Sequence, residues 1–252
     1  MVVRVRRALL AGVVALLGMS GTAAAQTATP LAAQVPAVGS PLVKGDWPDP
    51  DLSLVGGAYY TVATSTNWAP TFRVLRSTDL RNWAIAGSVF ERPPRWTRDS
   101  FWAPELTELP NGRFAFFYSA LPRRAWTTRP NGVTVPARGR GQRPWYCLGV
   151  ATAARPEGPW RDLGRPLRCV PDGTIDPTPV AAGRRLYLVY KEDANAFGRP
   201  TPILLQRLRA DGRRLLGQPR ELLRNRPRSW ESDVIEAPFL VRRGGWWRNS
   251  DD

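Results

Sequence analysis

Four segments of the chain repeat one pattern: a polar lead, a proline, an apolar run, a tight turn and an aromatic-rich run. They read DWPDPDLSLVGGAYYTVATS, FWAPELTELPNGRFAFFYSA, TIDPTPVAAGRRLYLVYKE and VIEAPFLVRRGGWW. The segments align on Pro50, Pro104, Pro177 and Pro238. The spacing of roughly 50 to 75 residues between these prolines suits four-stranded β units arranged as the blades of a propeller.

Strands are predicted almost throughout the repeated region. Runs of β-branched or aromatic residues each follow a turn that contains glycine or asparagine, and they lie at 59–62, 114–118 and 186–190. A further strand of each unit is predicted at 72–76, 148–152 and 203–208. No apolar period of 3.6 residues persists beyond two turns, so the sequence predicts an all-β fold.

The first 25 residues have the features of a secretory signal peptide. Three arginines among the first seven residues precede an apolar run at 8–19, and alanines at 23–25 provide a cleavage site. The apolar run is shorter than the roughly 20 residues that span a bilayer. We expect 1–25 to be removed, 26–40 to be a flexible lead-in, and 41–252 to be a domain secreted to the periplasm or the medium.

Cys147 and Cys169 are the only two cysteines of the chain. In an oxidising compartment we expect them to pair across neighbouring strands, although two buried free thiols are the alternative. The chain contains no histidine and no pair of cysteines at zinc-ligand spacing. Metal binding is therefore not expected from the sequence.

The formal net charge is +15, which raises the possibility of a nucleic acid or another acidic polymer as partner. The arginines are nevertheless spread along the whole chain, with only small clusters such as those at 138–140 and 242–243. We expect no nucleic-acid partner and no membrane partner. The stretch 122–143, rich in proline, glycine and arginine, is predicted to be a long surface loop.

Three carboxylates recur at one position of the repeat, immediately or two residues before the aligned proline. They are Asp49, Asp176 and Glu236. If the first strand of each unit begins near a common axis, these side chains face one hollow, where glycoside hydrolysis needs one protonated and one ionised carboxyl group. A single Asp-Pro is more simply a turn opener, but three acids at one repeat position favour a site.

Four motifs, in this order, resemble those of glycoside hydrolase family 43, whose members are five-bladed β-propellers that cleave arabinose and xylose units from plant polysaccharides. WPDPDLSLVGGAYYTVATS is similar to the opening motif, and STDLRNW at 77–83 resembles the end of the first blade. FWAPEL, TIDPTPV and SDVIEAPFLV are similar to the starts of the following blades. The resemblance runs from about residue 45 to residue 247.

The resemblance implies a catalytic role for each recurring carboxylate. Asp49 matches the general base, Glu236 the general acid, and Asp176 the residue that orients the acid and tunes its pKa. The implied mechanism is a single displacement with inversion, for which the base and acid carboxyl groups lie about 6.5–9.5 Å apart. Trp102 matches a residue that lines the sugar pocket.

The chain has 11 tryptophans, and some of them lie near the motif ends. Trp47 and Trp68, with Trp102, are candidates for stacking on sugar rings, because aromatic faces suit the apolar faces of sugars. Three other tryptophans, Trp83, Trp160 and Trp230, are expected to be core residues of the blades.

The chain departs from the family pattern in two ways. Family members continue through a fifth blade, which often brings a histidine near a central metal ion, whereas this chain has no histidine and ends after the start of a fourth unit. We therefore expect an incomplete propeller of three full blades and the start of a fourth, unstable or poorly active as it stands. No cofactor is expected to be required, and a structural calcium at the axis is a family property without support in this sequence.

Several functions stay open. An exported α-L-arabinofuranosidase, arabinanase or β-xylosidase acting as a monomer on pentose-containing oligo- or polysaccharides is the leading hypothesis. A fructan-type hydrolase would carry Arg-Asp-Pro and Glu-Cys motifs, whereas Ile175 precedes Asp176 and Ala237 follows Glu236 here. A carbohydrate-binding propeller without catalysis is the alternative from another functional class.

Overall fold

The computed structural model describes residues 41–137, 144–243 and 246–249. The predicted signal peptide at 1–25 and the lead-in at 26–40 lie outside the described residues. All described strands belong to one compact unit, Leu42–Asp252. None of the described segments forms a helix long and apolar enough to cross a membrane.

The first sheet is an antiparallel meander in the order β1-β2-β3-β4. Its strands are β1 (Asp51–Val55), β2 (Ala58–Val62), β3 (Thr71–Ser77) and β4 (Ala84–Phe90). Gly56 and Gly57 join β1 to β2 with φ values of 55° and 79°. Two successive left-handed residues form the tight turn whose twist matches that of a hairpin, and glycine adopts it without a steric penalty.

The second sheet has the order β5-β6-β9-β10, and a hairpin inserted between β6 and β9 forms a separate two-stranded sheet. Its first strands are β5 (Thr97–Glu108) and β6 (Phe114–Pro122), the hairpin consists of β7 (Trp126–Thr128) and β8 (Thr134–Pro136), and β9 (Cys147–Ala153) and β10 (Arg161–Asp162) follow. The prediction of a long loop at 122–143 is wrong for the described part, because Asn131 and Gly132 join two short strands. An Asn-Gly pair between β-forming residues is a strong hairpin signal.

The third sheet repeats the meander in the order β11-β12-β13-β14. Its strands are β11 (Thr174–Ala182), β12 (Arg185–Glu192), β13 (Pro202–Leu208) and β14 (Leu215–Arg224), with a short 3-10 turn at Ala194–Phe197. A fourth unit contributes the hairpin of β15 (Leu240–Arg243) and β16 (Trp246–Asn249). The prediction of an all-β fold is confirmed.

Strand β6 explains how the sheets pack face to face. Its alternate residues point to opposite faces, so Phe116 and Tyr118 enter the core shared with the first sheet. Phe117 enters the core shared with the third sheet, where it meets residues such as Leu188 and Tyr190. Because both faces of β6 are covered, the strand reads as a continuous apolar run rather than an alternating one.

Cys147 and Cys169 form a disulfide, with their Cα atoms 4.7 Å apart, as predicted. The bond joins the start of β9 to the segment after β10. Trp160 packs against the core of the first two sheets and Trp83 is half-buried, but Trp230 is 80% exposed. The prediction that Trp230 is a core residue is therefore wrong, because it lies in the 225–239 connection between β14 and β15 rather than in a strand.

Candidate active site

The residues that precede the four aligned prolines share an unusual backbone conformation. Asp49, Ala103, Asp176 and Ala237 have φ values of 49°, 39°, 54° and 51°. Residues other than glycine rarely adopt this left-handed region, and they do so mainly where the surrounding structure holds them for a purpose. The repeat visible in the sequence is thus also a repeat of backbone geometry.

Two of these positions coincide with irregularities in strand pairing. In β5 the register with β6 shifts between Trp102 and Glu105, and in β11 the register with β12 shifts between Ile175 and Thr178. A bulge of this kind bends a strand and re-aims its side chains. At these two bulges the side chains of Ala103 and Asp176 are directed into the space between the sheets.

All three predicted catalytic carboxylates line one cavity of about 520 Å³. Asp49 comes from the segment before β1, Asp176 from β11, and Glu236 from the segment before β15. Trp102 lines the same cavity from β5. The structure therefore brings together residues that are up to 187 positions apart in the chain.

Asp49 is exposed in the cavity, and a threonine fixes its orientation. Thr64 Oγ1 donates a hydrogen bond to Asp49 Oδ2 over 2.5 Å, and Ala103 N–H donates to Thr64 Oγ1 over 2.8 Å. The Thr64 hydroxyl thus accepts one hydrogen bond from Ala103 N–H and donates its proton to Asp49. These two bonds define the direction in which the hydroxyl proton points. One carboxylate oxygen of Asp49 remains without a described partner in the cavity.

Glu236 is held by a buried lysine. Lys191 Nζ lies 2.9 Å from Glu236 Oε2 and 3.1 Å from Asp193 Oδ1. The side chain of Lys191 is 1% exposed, whereas that of Glu236 is 55% exposed. A buried ammonium needs paired carboxylates, so Lys191 fixes one oxygen of Glu236 and leaves the other open to the cavity.

The pKa of Asp176 is raised from 3.8 to about 6. Burial is the main cause, and the nearby carboxylates of Glu236 and Asp49 raise the pKa further. Ala237 N–H, which donates to Asp176 Oδ2 over 3.0 Å, and the ammonium of Lys191 oppose the shift. Asp176 therefore keeps its proton to a higher pH than an ordinary aspartate does.

A second pair of acids, Asp51 and Glu105, lies in the same cavity directly after two of the aligned prolines. Leu106 N–H donates to Asp51 Oδ2 over 2.9 Å. Burial raises the pKa of both groups, and the charge of Asp51 raises the pKa of Glu105 well above its usual value. Of the two acids, Glu105 has the more strongly raised pKa.

Glu105 also connects this pair to the third and fourth units. Glu105 Oε1 lies 3.2 Å from Thr178 Oγ1, whose proton is engaged by the carbonyl oxygen of Pro238 at 2.6 Å. The sequence reasoning missed Asp51, Glu105 and Lys191. Two signals were available in the sequence. Asp51 and Glu105 each directly follow an aligned proline, and Lys191, one of only two lysines, lies within an apolar strand.

The aromatic candidates are placed differently from one another. Trp102 stacks on Tyr146 with ring centroids 4.2 Å apart. Trp47 donates its indole N–H to Lys44 O over 3.2 Å, Trp68 is 79% exposed, and neither is among the residues that line the cavity. Stacking of Trp47 or Trp68 on a sugar stays a prediction.

The resemblance to family 43 implies a metal at the axis, and the described residues do not fit one. No cluster of three or more metal-ligating side chains occurs within 41–137, 144–243 and 246–249. Calcium takes six to eight oxygen ligands, whereas Asp51 and Glu105 are engaged with each other and with the backbone.

Comparison with known proteins identifies the relatives of this chain. The model of the glycosyl hydrolases family 43 matches residues 38–247. Xylosidase/arabinosidase 43B of Humicola insolens is 26% identical over 224 residues, which cover 84% of this chain and 37% of that enzyme. The chain thus spans little more than a third of the length of this relative.

Solved structures show the same fold. A family 43 enzyme from Xanthomonas citri complexed with xylotriose has a TM-score of 0.63 at 21% identity, covering 84% of this chain and 68% of that one. An endo-arabinase from Bacteroides thetaiotaomicron has a TM-score of 0.59 at 20% identity, covering 79% and 66%. The predicted five-bladed propeller class, here with three complete blades and the start of a fourth, is confirmed. The chain belongs to glycosyl hydrolase family 43.

Proposed function

We propose that the protein is a glycoside hydrolase that cleaves α-L-arabinofuranosyl or β-D-xylosyl linkages of plant cell-wall polysaccharides with inversion. The observation that carries the proposal is the convergence of Asp49, Asp176 and Glu236 on one cavity. The names of relatives such as the Humicola xylosidase/arabinosidase support a pentose-containing substrate. The chemistry requires only carboxyl groups, a water molecule and the substrate.

Asp49 is the proposed general base. It is exposed and is oriented by Thr64, so it can accept a proton from a water molecule below the anomeric carbon. The attack of this water breaks the bond between the anomeric carbon and the leaving oxygen. The product carries the inverted configuration, because the water enters on the face opposite to the leaving group.

Glu236 is the proposed general acid. Lys191 holds one oxygen of its carboxyl group, so the other oxygen can give a proton to the leaving oxygen. Asp176 is the proposed positioning residue: its Oδ2 accepts a hydrogen bond from Ala237 N–H, which directly follows Glu236. Asp176 thereby fixes the backbone that carries the acid.

Turnover of aryl pentosides tests the proposal. The chain should hydrolyse an aryl α-L-arabinofuranoside or an aryl β-D-xylopyranoside, and Glu236→Gln should reduce kcat about 10²- to 10⁴-fold, the usual contribution of a general acid. Glu108→Gln is a matched control, because Glu108 is exposed on β5 outside the cavity. Equal activity in Glu236→Gln and Glu108→Gln would contradict the proposed acid.

A carbohydrate-binding propeller with impaired catalysis is the second candidate. The observation that favours it is the 55% exposure of the Glu236 side chain, since an acid open to solvent is poorly shielded from competing water. A binding module retains affinity for the oligosaccharide in both wild type and Glu236→Gln and shows no turnover in either. An enzyme loses turnover only in the variant.

We also propose export of the protein. Two observations support it: the signal-like composition of residues 1–25, and the disulfide of Cys147 with Cys169, a bond typical of oxidising compartments. Fractionation of cells that express the full chain should place the protein outside the cytoplasm, with the N-terminus shortened by about 25 residues. A full-length cytoplasmic product would contradict the export proposal.

A further inference from the structure

Asp193 is a buried carboxylate whose two oxygens contact neighbouring side chains. Its Oδ1 lies 3.1 Å from Lys191 Nζ, and its Oδ2 accepts a hydrogen bond from Trp145 Nε1 over 3.3 Å. The residue is 7% exposed and is not among the described residues that line the catalytic cavity. We propose that Asp193 is a positioning residue: as the permanent counterion of Lys191, it allows Glu236 to carry the proton that the leaving group receives. This inference rests on the proposed function.

The backbone position of Asp193 makes the direction of its carboxylate informative. The residue is the N-cap of the 3-10 turn at Ala194–Phe197, and its backbone carbonyl accepts a hydrogen bond from Ala196 N–H over 3.3 Å. An aspartate at an N-cap usually turns its carboxylate to the first free N–H groups of the turn. Among the described residues, Asp193 makes no such side-chain bond. Its carboxylate is turned to Lys191 instead.

Trp145 holds the other oxygen of this carboxylate from the segment before β9. Its ring lies so close to Gly173 that a Cβ atom on that glycine would be 2.0 Å from Trp145 Cδ1, and the φ value of Gly173 is 84°. Only glycine suits both this conformation and this close approach. Phe197 packs against the same indole, with ring centroids 5.2 Å apart. The indole N–H therefore holds Asp193 in place, while Glu236 faces the open cavity.

Charge balance explains why Lys191 has two carboxylate partners. Its side chain is 1% exposed, and a buried ammonium without a paired carboxylate is strongly unfavourable. Glu236 cannot be that partner throughout the reaction, because a general acid has to be protonated before the bond breaks. Asp193 stays ionised, so its pair with Lys191 is neutral whether Glu236 is protonated or not. Without Asp193, each uptake of a proton by Glu236 would leave the ammonium uncompensated.

Further ionisable groups act on Glu236 and Asp193 from the other elements. Asp176 on β11 interacts electrostatically with Lys191 and with Glu236, and Tyr146 interacts with Asp193. The remaining carboxylates of the cavity are Asp49, Asp51 and Glu105. Nearby carboxylates disfavour an ionised Glu236, whereas the ammonium of Lys191 favours it. Asp193 is placed to offset that ammonium, because it contacts Lys191 and lies outside the lining of the cavity.

No proton moves along the row of residues from Trp145 to Glu236. In each turnover Glu236 gives its proton to the leaving oxygen, and Asp49 takes one proton from the attacking water. After the products leave, Glu236 takes up a proton from solvent and Asp49 releases one, so protons are conserved. Lys191 stays an ammonium and Asp193 stays a carboxylate throughout.

Titration of carboxyl groups tests the inference without turnover. Carbon-13 NMR of the full chain resolves side-chain carboxyl carbons, and the signal that Glu236→Gln removes identifies Glu236. In Asp193→Asn the midpoint of that signal should fall by about one pH unit, because an ammonium that is no longer offset favours the ionised form. Asp172→Asn is the matched control, since Asp172 pairs with Arg199 rather than with Lys191, and it should keep the wild-type midpoint. An unchanged midpoint in Asp193→Asn would overturn the inference.

The wild type provides a second measurement, which remains decisive if Asp193→Asn does not fold. The carboxyl carbon of Asp193 should keep the chemical shift of an ionised group at the pH at which Glu236 takes up its proton. Asp193→Glu, which retains the charge, should leave the midpoint of Glu236 unchanged. If Asp193 takes up its proton before Glu236 does, it is not the permanent counterion and the inference is wrong.

Kinetics separate this inference from the proposed function. Asp193→Asn should lower kcat/KM for a phenyl pentoside about tenfold on the alkaline side of the pH profile, as a displacement by one pH unit requires. It should leave a 2,4-dinitrophenyl pentoside unaffected, because that leaving group departs without protonation. Equal losses on both substrates would show a purely structural role and contradict the inference. Failure of the wild type to hydrolyse any pentoside would overturn the proposed function, while the titrations still decide the role of Asp193.

Discussion

Two sets of acids in one cavity differ in what surrounds them. Asp49 and Glu236 are exposed, and each has one oxygen held by a side chain while the other faces the cavity. Asp51 and Glu105 are half-buried and are engaged with Leu106 N–H and with each other. The first set, the rim acids, is the one proposed to exchange protons with a substrate. The second set, the axial acids, connects units of the fold through Leu106 and Thr178.

The comparison teaches that a carboxylate in a motif has no fixed role. Asp49 and Asp51 flank one proline, yet the left-handed backbone at Asp49 turns its side chain toward the open cavity. Asp51 begins β1 and points toward β5. Asp49 and Asp51 thus differ in role because one has the left-handed backbone and the other begins the regular strand. Substitutions at both positions can test this difference.

Asp49→Ala has the largest expected effect, and it acts mainly on catalysis. Loss of a general base should reduce kcat on an aryl pentoside about 10²- to 10⁴-fold. The free energy of unfolding should fall by only about 1 kcal/mol, because the residue is exposed but alanine tolerates the left-handed backbone less well and removes the acceptor of the Thr64 hydroxyl. Kinetics and urea unfolding of the same preparation measure both. A large loss of stability in Asp49→Ala would place Asp49 with the axial acids.

Lys191→Met should be the most destabilising substitution at the rim. It removes the buried cation that pairs with Asp193 and Glu236, and breaking such a pair costs about 3–5 kcal/mol. Denaturant unfolding measures this loss. The double variant Lys191→Met/Asp193→Asn should recover part of it, because the uncompensated buried charge is then removed. A single variant as stable as the wild type would contradict the described pairing.

Asp51→Ala should have the opposite profile to Asp49→Ala. Leu106 N–H loses its acceptor, and a buried donor left unpaired costs about 1–3 kcal/mol. Asp51→Asn is the milder comparison, since its carbonyl oxygen can still accept that hydrogen bond. Equal unfolding free energies for Asp51→Ala and the wild type would show that the axial acids do not stabilise the fold.

Asp176→Asn tests the raised pKa through the pH dependence of stability. The folded pKa of about 6 lies above the ordinary 3.8, so the native state binds the proton more tightly than the unfolded state. The stability that this proton contributes is present below about pH 4 and is lost as the pH rises through 6. Asp176→Asn should remove this decline and be more stable than the wild type at pH 7 by at most about 3 kcal/mol. Parallel stability–pH curves would contradict the assignment.

The sequence was sufficient for the fold class because its signals are local. The prolines, the glycine turns and the short apolar runs predicted the three four-stranded sheets. No knowledge of the contacts between the sheets was needed for this prediction. The hairpin at 126–136 was missed although Asn131-Gly132 was visible, because proline and arginine dominate its surroundings. Trp230 was misplaced because tryptophan content alone does not distinguish strand from connection.

The site was only partly predictable, since its contacts connect distant segments. The alignment on proline selected Asp49, Asp176 and Glu236, which the structure places around one cavity. The ion pair of Lys191 with Glu236 joins residues that are 45 positions apart in the chain. The contact of Glu105 with Asp51 depends on how the first two sheets pack against each other. Neither contact leaves a periodic trace in the sequence.

The anomeric configuration of the first product tests the central claim most directly. Proton NMR during the first turnovers of an aryl pentoside resolves the two anomers before they equilibrate. The account predicts the inverted anomer, because Asp49 and Glu236 act on opposite sides of the bond with a water molecule between Asp49 and the anomeric carbon. A product that retains the configuration of the substrate would contradict it.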